Sequence, residues 1–139
     1  MKLTVASYNI RHGADAGLDM TKIASCIKKA GADIVGIQEM DVNTTRVGGR
    51  DTFAELLAAT GFEYGDFVKC IDYKGGGYGT AILSKYPIAS FDKKFLHFEK
   101  GCEQRAVGVC RVKAEEKEFA FANTHLDLLS DTVRRTQLK

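Results

Sequence analysis

Two strand-like segments separated by an amphipathic one constrain the fold of this chain more than any other feature. Residues 3–8 alternate apolar and polar side chains, and residues 34–37 form a short apolar run, so both segments are predicted to be strands. Between them, apolar residues three and four apart predict a helix over residues 19–30, capped by Asp19 and ended by Gly31. A strand, a helix and a strand form a crossover unit, which favours parallel strands with a right-handed connection. The chain is therefore expected to adopt an α/β fold.

The rest of the chain continues this pattern. A polar loop over residues 41–51 leads to a second predicted helix, whose start we interpret as a capping box formed by Thr52 and Glu55. Residues 74–79, rich in glycine, are predicted to form a flexible loop, and a third helix is predicted from Ser130 or Asp131. Further strands are predicted over residues 64–71, 81–83, 88–98, 105–114 and 118–124, the last three antiparallel.

Composition narrows the class of protein. The chain has 139 residues, of which 45% are hydrophobic and 27% charged, as expected for one globular domain. A net charge of +2 argues mildly against a nucleic-acid binder, although a basic groove is compatible with it. There is no signal peptide and no apolar run of about 20 residues, so we expect a cytoplasmic protein without a membrane span. The four cysteines lack Cys-x-x-Cys spacing, which argues against a cysteine zinc site or redox pair.

Three polar residues stand at the predicted strand ends. Asn9 ends the first strand, Glu39 follows the apolar run, and His125 ends the last strand, so all three are expected at the ligand-binding rim of an α/β sheet. The Glu39 carboxylate suits a hard cation such as Mg²⁺, Asn9 can orient it, and His125 can donate to a phosphate. Each also has an ordinary structural reading: Glu39 as a solvated carboxylate or partner of Arg11, Asn9 as an Asx turn, His125 as a structural histidine. Their convergence favours a site.

Four sequence blocks occur in a familiar order. They are Ser-Tyr-Asn-Ile-Arg-His-Gly at residues 7–13, Ile-Val-Gly-Ile-Gln-Glu-Met-Asp at 34–41, Tyr-Gly-Thr-Ala-Ile-Leu-Ser-Lys-Tyr-Pro-Ile at 78–88, and Asn-Thr-His-Leu-Asp at 123–127. Together they resemble the endonuclease/exonuclease/phosphatase superfamily, which has the deoxyribonuclease-I-like fold. Arg134 and Gln137 add its Arg-x-x-Gln, and Arg-Val-Gly-Gly at 46–49 resembles bacterial metal-dependent hydrolases of unassigned substrate.

The resemblance implies an architecture and a set of roles. Residues 1–139 would be the N-terminal part of a single domain, namely half of a four-layer α/β sandwich in which a mixed sheet carries helices on one face. Glu39 would bind Mg²⁺ or Mn²⁺ with support from Asn9, and His125 and Asn9 would act on the scissile phosphate. The positions implied in substrate binding are Arg105, Asp41 and Asp127.

The implied function is metal-dependent hydrolysis of a phosphodiester or phosphomonoester by in-line attack of water. The resemblance also implies a second half with an Asp-x-Asn pair and a water-activating Asp-His pair. Neither occurs in the 14 residues that follow His125, so we expect the chain to be weakly active or inactive by itself. Two alternatives stay open. One is a DNA or RNA nuclease with a basic groove. The other is a non-catalytic association module, whose exposed apolar sheet face leads us to expect self-association or pairing with the missing C-terminal half.

Overall fold

Seven strands and three helices make up the fold. The structure is a computed structural model that describes residues 1–139. Its elements are β1 (Val5–Asn9), α1 (Met20–Lys29), β2 (Ile34–Val42), α2 (Thr52–Thr60), β3 (Tyr64–Tyr73), β4 (Gly76–Ser84), β5 (Ile88–Phe95), β6 (Ala106–Ala114), β7 (Lys117–Thr124) and α3 (Asp131–Gln137). Strands β1–β4 form a mixed sheet in the order β1-β2-β4-β3, and β5–β7 form an antiparallel sheet in the order β5-β6-β7. The α/β class is confirmed.

The crossover unit at the start of the chain forms as its sequence predicts. Strand β1 pairs parallel to β2, while β4 runs antiparallel to both β2 and β3. The Asp19 side chain accepts a hydrogen bond from the backbone N–H of Thr21 at the start of α1. Gly31 follows the end of that helix with φ of 66°, a conformation that glycine adopts without strain. No helix has the length and apolar character that crossing a membrane requires.

The start of α2 differs from the prediction. Asp51, not Thr52, is the N-cap residue, and its carboxylate accepts a hydrogen bond from the backbone N–H of Ala54. The Thr52 hydroxyl instead donates to the backbone carbonyl of Asp41. The capping box was therefore a wrong interpretation, because tertiary structure gives the threonine a different partner.

The glycine-rich segment is also different from the predicted flexible loop. Strands β3 and β4 are joined by a tight turn at Lys74 and Gly75, and the following glycines belong to β4. A side chain at Gly79 would collide with the backbone carbonyl of Val68 on the neighbouring strand. The glycines permit close approach between strands rather than mobility.

The mixed sheet is covered on both faces. Its helix-facing side packs α1 and α2 onto a core that includes Ile23, Leu56, Val35, Ile37 and Leu83. On its other face, Ile34 and Ile82 pack against Cys110 and Val112 of the antiparallel sheet. Helices on one face of a mixed sheet are therefore confirmed, with the antiparallel sheet as a third layer.

The apolar sheet face that is open to solvent belongs to the antiparallel sheet. Its inward residues on β6 are buried, whereas Val107 and Val109 are partly exposed and their neighbours on β7, Ala120 and Ala122, are exposed. The mixed sheet thus does not supply the exposed face expected of a half-sandwich.

Candidate active site

Asn9, Glu39 and His125 meet at one edge of the mixed sheet. Asn9 ends β1, Glu39 lies in the neighbouring β2, and His125 directly follows β7 of the other sheet. The Asn9 side-chain amide donates to Glu39 Oε1 at 2.9 Å, and His125 Nε2 lies 4.0 Å from the same oxygen. The side chains of Glu39 and His125 are 25% and 27% exposed, so solvent or a ligand reaches them. The structure thus brings together three groups that are far apart in sequence.

A β-bulge aims Glu39 at this edge. The register of β2 against β4 shifts between Ile37 and Met40, and Glu39 has φ of 57°. One extra residue in the strand lets Met40, rather than Glu39, take the next buried position facing the helices. Left-handed backbone at a residue other than glycine costs about 1–3 kcal/mol, and such strain clusters at functional sites. The prediction that β2 ends before Glu39 was wrong, because pairing with β4 resumes after the bulge.

Glu39 has one oxygen free of protein contacts. The Asn9 amide occupies Oε1, and no protein group donates to Oε2. The alternative partner Arg11 pairs with Asp15 instead, at 3.2 Å. Asn9 combines two roles, because its Oδ1 also accepts from the backbone N–H of Arg11 at 3.0 Å, which is the Asx turn expected at a strand end.

Arg105 sets the protonation state of His125. Arg105 Nη1 lies 3.1 Å from His125 Nδ1. A guanidinium can only donate, so Nδ1 accepts and the ring proton of neutral His125 sits on Nε2, on the side of Glu39. Burial and then the charge of Arg105 lower the pKa of His125, and Glu39 opposes them. The ring therefore presents an N–H donor toward the Glu39 carboxylate, 4.0 Å from Oε1.

Two polar atoms beside His125 make no hydrogen bond. The Arg105 side chain is 8% exposed, and its Nη1 lies 2.8 Å from Glu103 Oε1 without hydrogen-bond geometry. Arg105 Nε and Glu103 Oε1 are both buried and make no hydrogen bond, although Oε1 is ion-paired with Arg105 Nη1. An unsatisfied buried polar group costs about 1–3 kcal/mol, so these atoms mark a place where a ligand or water would be stabilised. Arg105 is thus at the rim, as its predicted role in substrate binding requires.

Asp41 is not part of the exposed site. It is fully buried, and its carboxylate accepts from Arg46 Nε at 2.9 Å and Arg46 Nη2 at 2.6 Å. The Thr44 hydroxyl donates to it at 2.5 Å. With its oxygens occupied by protein donors, Asp41 anchors Arg46, and its contact with a substrate stays a prediction.

Asp127 is also buried and hydrogen-bonded within the protein. It is 3% exposed, and its Oδ2 accepts from the backbone N–H groups of Leu129 at 2.9 Å and Ser130 at 2.7 Å. The hydrogen bond from Ser130 is the main cause that lowers the pKa of Asp127. The residue shapes the turn between His125 and α3, and its contact with a substrate stays a prediction.

Asn123 is a site residue that the sequence-based list omits. Its amide donates to the backbone carbonyls of Ile37 and Ala81, both at 2.9 Å, and its Oδ1 accepts from Gln38 at 2.7 Å. A side chain at Gly36 would collide with this amide. Asn123 therefore fastens β7 to the mixed sheet two residues before His125. A glycine within an apolar strand was the available signal for such close approach.

A small pocket bounded by Tyr78, which pairs with Asp41 across β4 and β2, also escaped the sequence analysis. It has a volume of about 130 Å³ and is lined by Arg46, Ile71, Tyr73, Tyr78 and Glu103, which we call the tyrosine–arginine pocket. Its residues come from β3, β4 and two connecting segments, and no sequence motif groups them.

The donors at this edge fit one kind of metal ion. The fold contains no group of three or more His, Cys, Asp or Glu side chains arranged to hold a metal. Mg²⁺ often binds through one or two carboxylates and takes its other oxygens from water and substrate phosphate. Mn²⁺ also suits carboxylate and water ligands. Glu39, with one free oxygen and its partner Asn9, fits such an ion.

The fold is of the α/β class, and the donors at this edge suit a phosphate group. Comparison with known families agrees with both observations. Residues 6–131 match the Endonuclease/Exonuclease/phosphatase family. The chain belongs to this family, whose name joins nucleases with phosphatases. No curated protein matches the chain.

Solved structures share the fold. An endonuclease/exonuclease/phosphatase from Beutenbergia cavernae has a TM-score of 0.77 and 22% identity, over 98% of this chain and 42% of its own. The mannosyl-6-phosphatase Bt3783 of Bacteroides thetaiotaomicron has a TM-score of 0.71 and 22% identity, over 95% of this chain and 54% of its own. A humanized D. rerio TDP2 has a TM-score of 0.70 and 16% identity, over 98% of this chain and 56% of its own. The chain spans about half the length of these structures.

Proposed function

We propose that this chain supplies half of the active site of a metal-dependent phosphoester hydrolase. The observation that carries the proposal is the contact between Asn9, Glu39 and the pair formed by His125 and Arg105 at one sheet edge. Membership in a family of nucleases and phosphatases supports the same chemistry. Glu39 would hold Mg²⁺ or Mn²⁺ through its free oxygen.

Each residue has a distinct role in this proposal. The bound ion would neutralise charge on the phosphoryl oxygens. Asn9 holds the Glu39 carboxylate in place through its amide, and His125 donates from Nε2 to a phosphoryl oxygen. Arg105 keeps the His125 proton on Nε2 and adds positive charge next to the phosphate. Asn123 positions His125 by fastening β7.

The proposal assigns the activation of the attacking water to none of these residues. In-line hydrolysis needs a positioned, deprotonated water, and removing a general base typically lowers rates by about 10²–10⁴-fold. No carboxylate–histidine pair at this edge is free for that task, because His125 Nδ1 is occupied by Arg105. We therefore expect this chain alone to be weakly active or inactive.

Association forms part of the same proposal. The outer face of the antiparallel sheet exposes apolar residues of β6 and β7, and α3 is preceded by Leu128 and Leu129, which are 76% and 77% exposed. Exposed apolar side chains of this kind favour burial by another chain or segment. Self-association or pairing with the C-terminal half of the domain, in the cytoplasm, is what we expect.

Metal binding by the purified chain tests the proposal directly. Titration with Mn²⁺ should broaden the NMR signals of Asn9 and His125, because a paramagnetic ion at Glu39 lies next to both. The Glu39→Gln variant should lose this selective broadening. Glu63→Gln, which changes an exposed carboxylate directly before β3, should keep it.

Hydrolysis provides the second measurement. The chain is incubated with Mg²⁺ and either bis(p-nitrophenyl) phosphate or p-nitrophenyl phosphate, and product release is compared with that of Glu39→Gln. Selective broadening that persists in Glu39→Gln would contradict the metal site. Rapid turnover that Glu39→Gln abolishes would support the hydrolase and overturn the idea that this chain is only half of its site.

A further inference from the structure

We propose that the tyrosine–arginine pocket binds the hydroxyl-bearing ring of a sugar phosphate whose phosphate group lies at Glu39 and His125. This inference rests on the function proposed above. The pocket volume of about 130 Å³ is small compared with the roughly 300–1,000 Å³ of sites that enclose whole drug-sized ligands. A single ring attached to a phosphate therefore suits it better than an extended chain.

Arg46 is held rigidly at the pocket wall. Asp41 accepts from Nε and Nη2 of its guanidinium, and this carboxylate is itself fully buried. The guanidinium carbon also lies 4.7 Å from the ring centre of Tyr73 and 5.6 Å from that of Tyr78. The Arg46 side chain remains 27% exposed, and its Nη1 donors take no part in the pair with Asp41. Arg46 thus offers fixed hydrogen-bond donors with its charge largely compensated.

The tyrosine rings do not form a stacking slot. Their centres are 6.2 Å apart and their planes are inclined by 55°. Arg46 lies over both rings, and the Lys74 ammonium lies 5.4 Å from the ring centre of Tyr73. Recognition of nucleobases relies on free aromatic faces against which a base can stack. These faces are already engaged by cations, so the pocket offers hydrogen bonds rather than stacking.

Glu103 gives the pocket a fixed acceptor. Its side chain is 37% exposed, and its Oε1 is ion-paired with Arg105 Nη1 at 2.8 Å but makes no hydrogen bond. A carboxylate accepts well from a hydroxyl and repels a second phosphate. Because Asp41 compensates Arg46 while Glu103 remains an acceptor, the pocket is better matched to neutral hydroxyl groups than to a phosphate chain.

The pocket neighbours the candidate active site. Tyr78 of β4 pairs with Asp41 of β2, two residues from Glu39. Burial raises the pKa of Tyr78 to about 12, and the charges of Glu39 and Glu103 contribute. Its phenol therefore stays protonated and can donate. Glu103 also reaches Arg105, which contacts His125. A sugar ring bound in the pocket would thus adjoin a phosphate group bound at Glu39.

Affinity measurements separate the contribution of the sugar ring from that of the phosphate group. In isothermal titration with Mg²⁺ present, the wild-type chain is titrated with inorganic phosphate, glucose 6-phosphate and thymidine 5′-monophosphate. We expect glucose 6-phosphate to bind about tenfold more tightly than inorganic phosphate, which corresponds to about 1.4 kcal/mol, the scale of one or two net hydrogen bonds. Thymidine 5′-monophosphate should show a smaller gain in affinity over inorganic phosphate.

Variants test which residues provide the added affinity for the sugar ring. Tyr73→Leu should reduce the preference for glucose 6-phosphate and leave inorganic phosphate binding unchanged. Glu103→Gln should reduce the same preference, measured as the ratio of the two affinities. Tyr64→Leu, a matched change at the other end of β3, should preserve the preference. Circular dichroism and thermal unfolding verify that each variant is folded.

The outcomes distinguish the two proposals. No preference for glucose 6-phosphate, a preference that survives both pocket variants, or a larger gain for thymidine monophosphate would each overturn the sugar-ring pocket. If glucose 6-phosphate binds in a Tyr73-dependent way while inorganic phosphate fails to bind, the pocket stands and the phosphate site at Glu39 is wrong. If phosphate binds through Glu39 without any added effect of the sugar, the phosphate site stands and the sugar-ring pocket is wrong.

Discussion

Glu39 and Asp41 are acidic residues two positions apart on β2, yet their surroundings are opposite. Asp41 is fully buried and receives hydrogen bonds from Arg46 and Thr44. Glu39 is a quarter exposed, receives one hydrogen bond from Asn9, and keeps its second oxygen free. Their backbones differ as well, because only Glu39 has a positive φ.

This difference separates a structural carboxylate from one available for chemistry. A buried charge is tolerated when its partners satisfy it, and such a group has no capacity left for a ligand. A partly exposed carboxylate on a strained backbone contributes little to stability but can accept a cation. Changes at Asp41 and its partner should therefore affect mainly the free energy of unfolding, whereas changes at Glu39 should affect mainly ligand binding.

The largest effect is expected for Arg46→Met. This change leaves the buried Asp41 carboxylate without its cation, and breaking a buried pair in this way costs about 3–5 kcal/mol. Urea denaturation followed by circular dichroism measures the loss. Arg50→Met is the matched control, because Arg50 and its partner Glu55 are both 41% exposed and such a pair contributes about 0–1 kcal/mol. Equal losses in the two variants would remove the distinction between buried and exposed pairs.

Asn123→Ala should lower the free energy of unfolding by about 1–3 kcal/mol, because buried carbonyl oxygens of the mixed sheet lose a donor. The change should also shift the NMR signals of His125, which Asn123 holds in place two residues away. Chemical denaturation and a histidine-ring NMR spectrum provide the two measurements. Destabilisation with an unchanged His125 ring would show that Asn123 supports the fold but does not position the histidine.

Glu39→Gly should stabilise the chain, by about 1 kcal/mol, since glycine relieves the left-handed backbone strain at this bulge. The same variant should lose the selective Mn²⁺ broadening, so stability and metal binding would change in opposite directions. Glu39→Gln keeps the strain and should leave the free energy of unfolding within about 0.5 kcal/mol of wild type. A Glu39→Gly variant less stable than Glu39→Gln would contradict the strain at this position.

The smallest effect is a pH dependence at Asp127. Its pKa is lowered in the folded chain, chiefly by the backbone hydrogen bond from Ser130, so its ionised form stabilises the fold. That contribution is fully present above the ordinary aspartate pKa of about 3.9 and is lost as the pH falls through the lowered value. The stability difference between wild type and Asp127→Asn should thus be constant near neutral pH and shrink below about pH 4. Urea denaturation across this range would contradict the idea if the difference stayed constant.

Much of the fold was predictable from local sequence. The cap at Asp19, the glycine after α1 and the alternation of the last three strands predict their elements because helix ends and strand faces depend on neighbouring residues. Family blocks and strand ends also pointed to Asn9, Glu39 and His125. These residues converge because strands in one fold deliver their ends to a common edge.

Other features depend on residues distant in sequence. Thr52 was assigned to a capping box because its spacing from Glu55 is correct, but contact with β2 gives it another partner. The bridge from Asn123 to Gln38 joins residues 85 positions apart, and no local pattern encodes it. The tyrosine–arginine pocket likewise forms only where β3, β4 and the segment before β6 meet.

The sequence by itself determined the α/β class, the family and the residues that gather at one edge of the sheet. Only the tertiary structure decided that Glu39 is open while Asp41 is closed. Both are acidic, lie in one motif and are two residues apart, so composition and spacing do not distinguish them. The bulge in β2 and the position of Arg46 do, because the availability of a charge depends on the solvent and partners that the folded chain leaves around it.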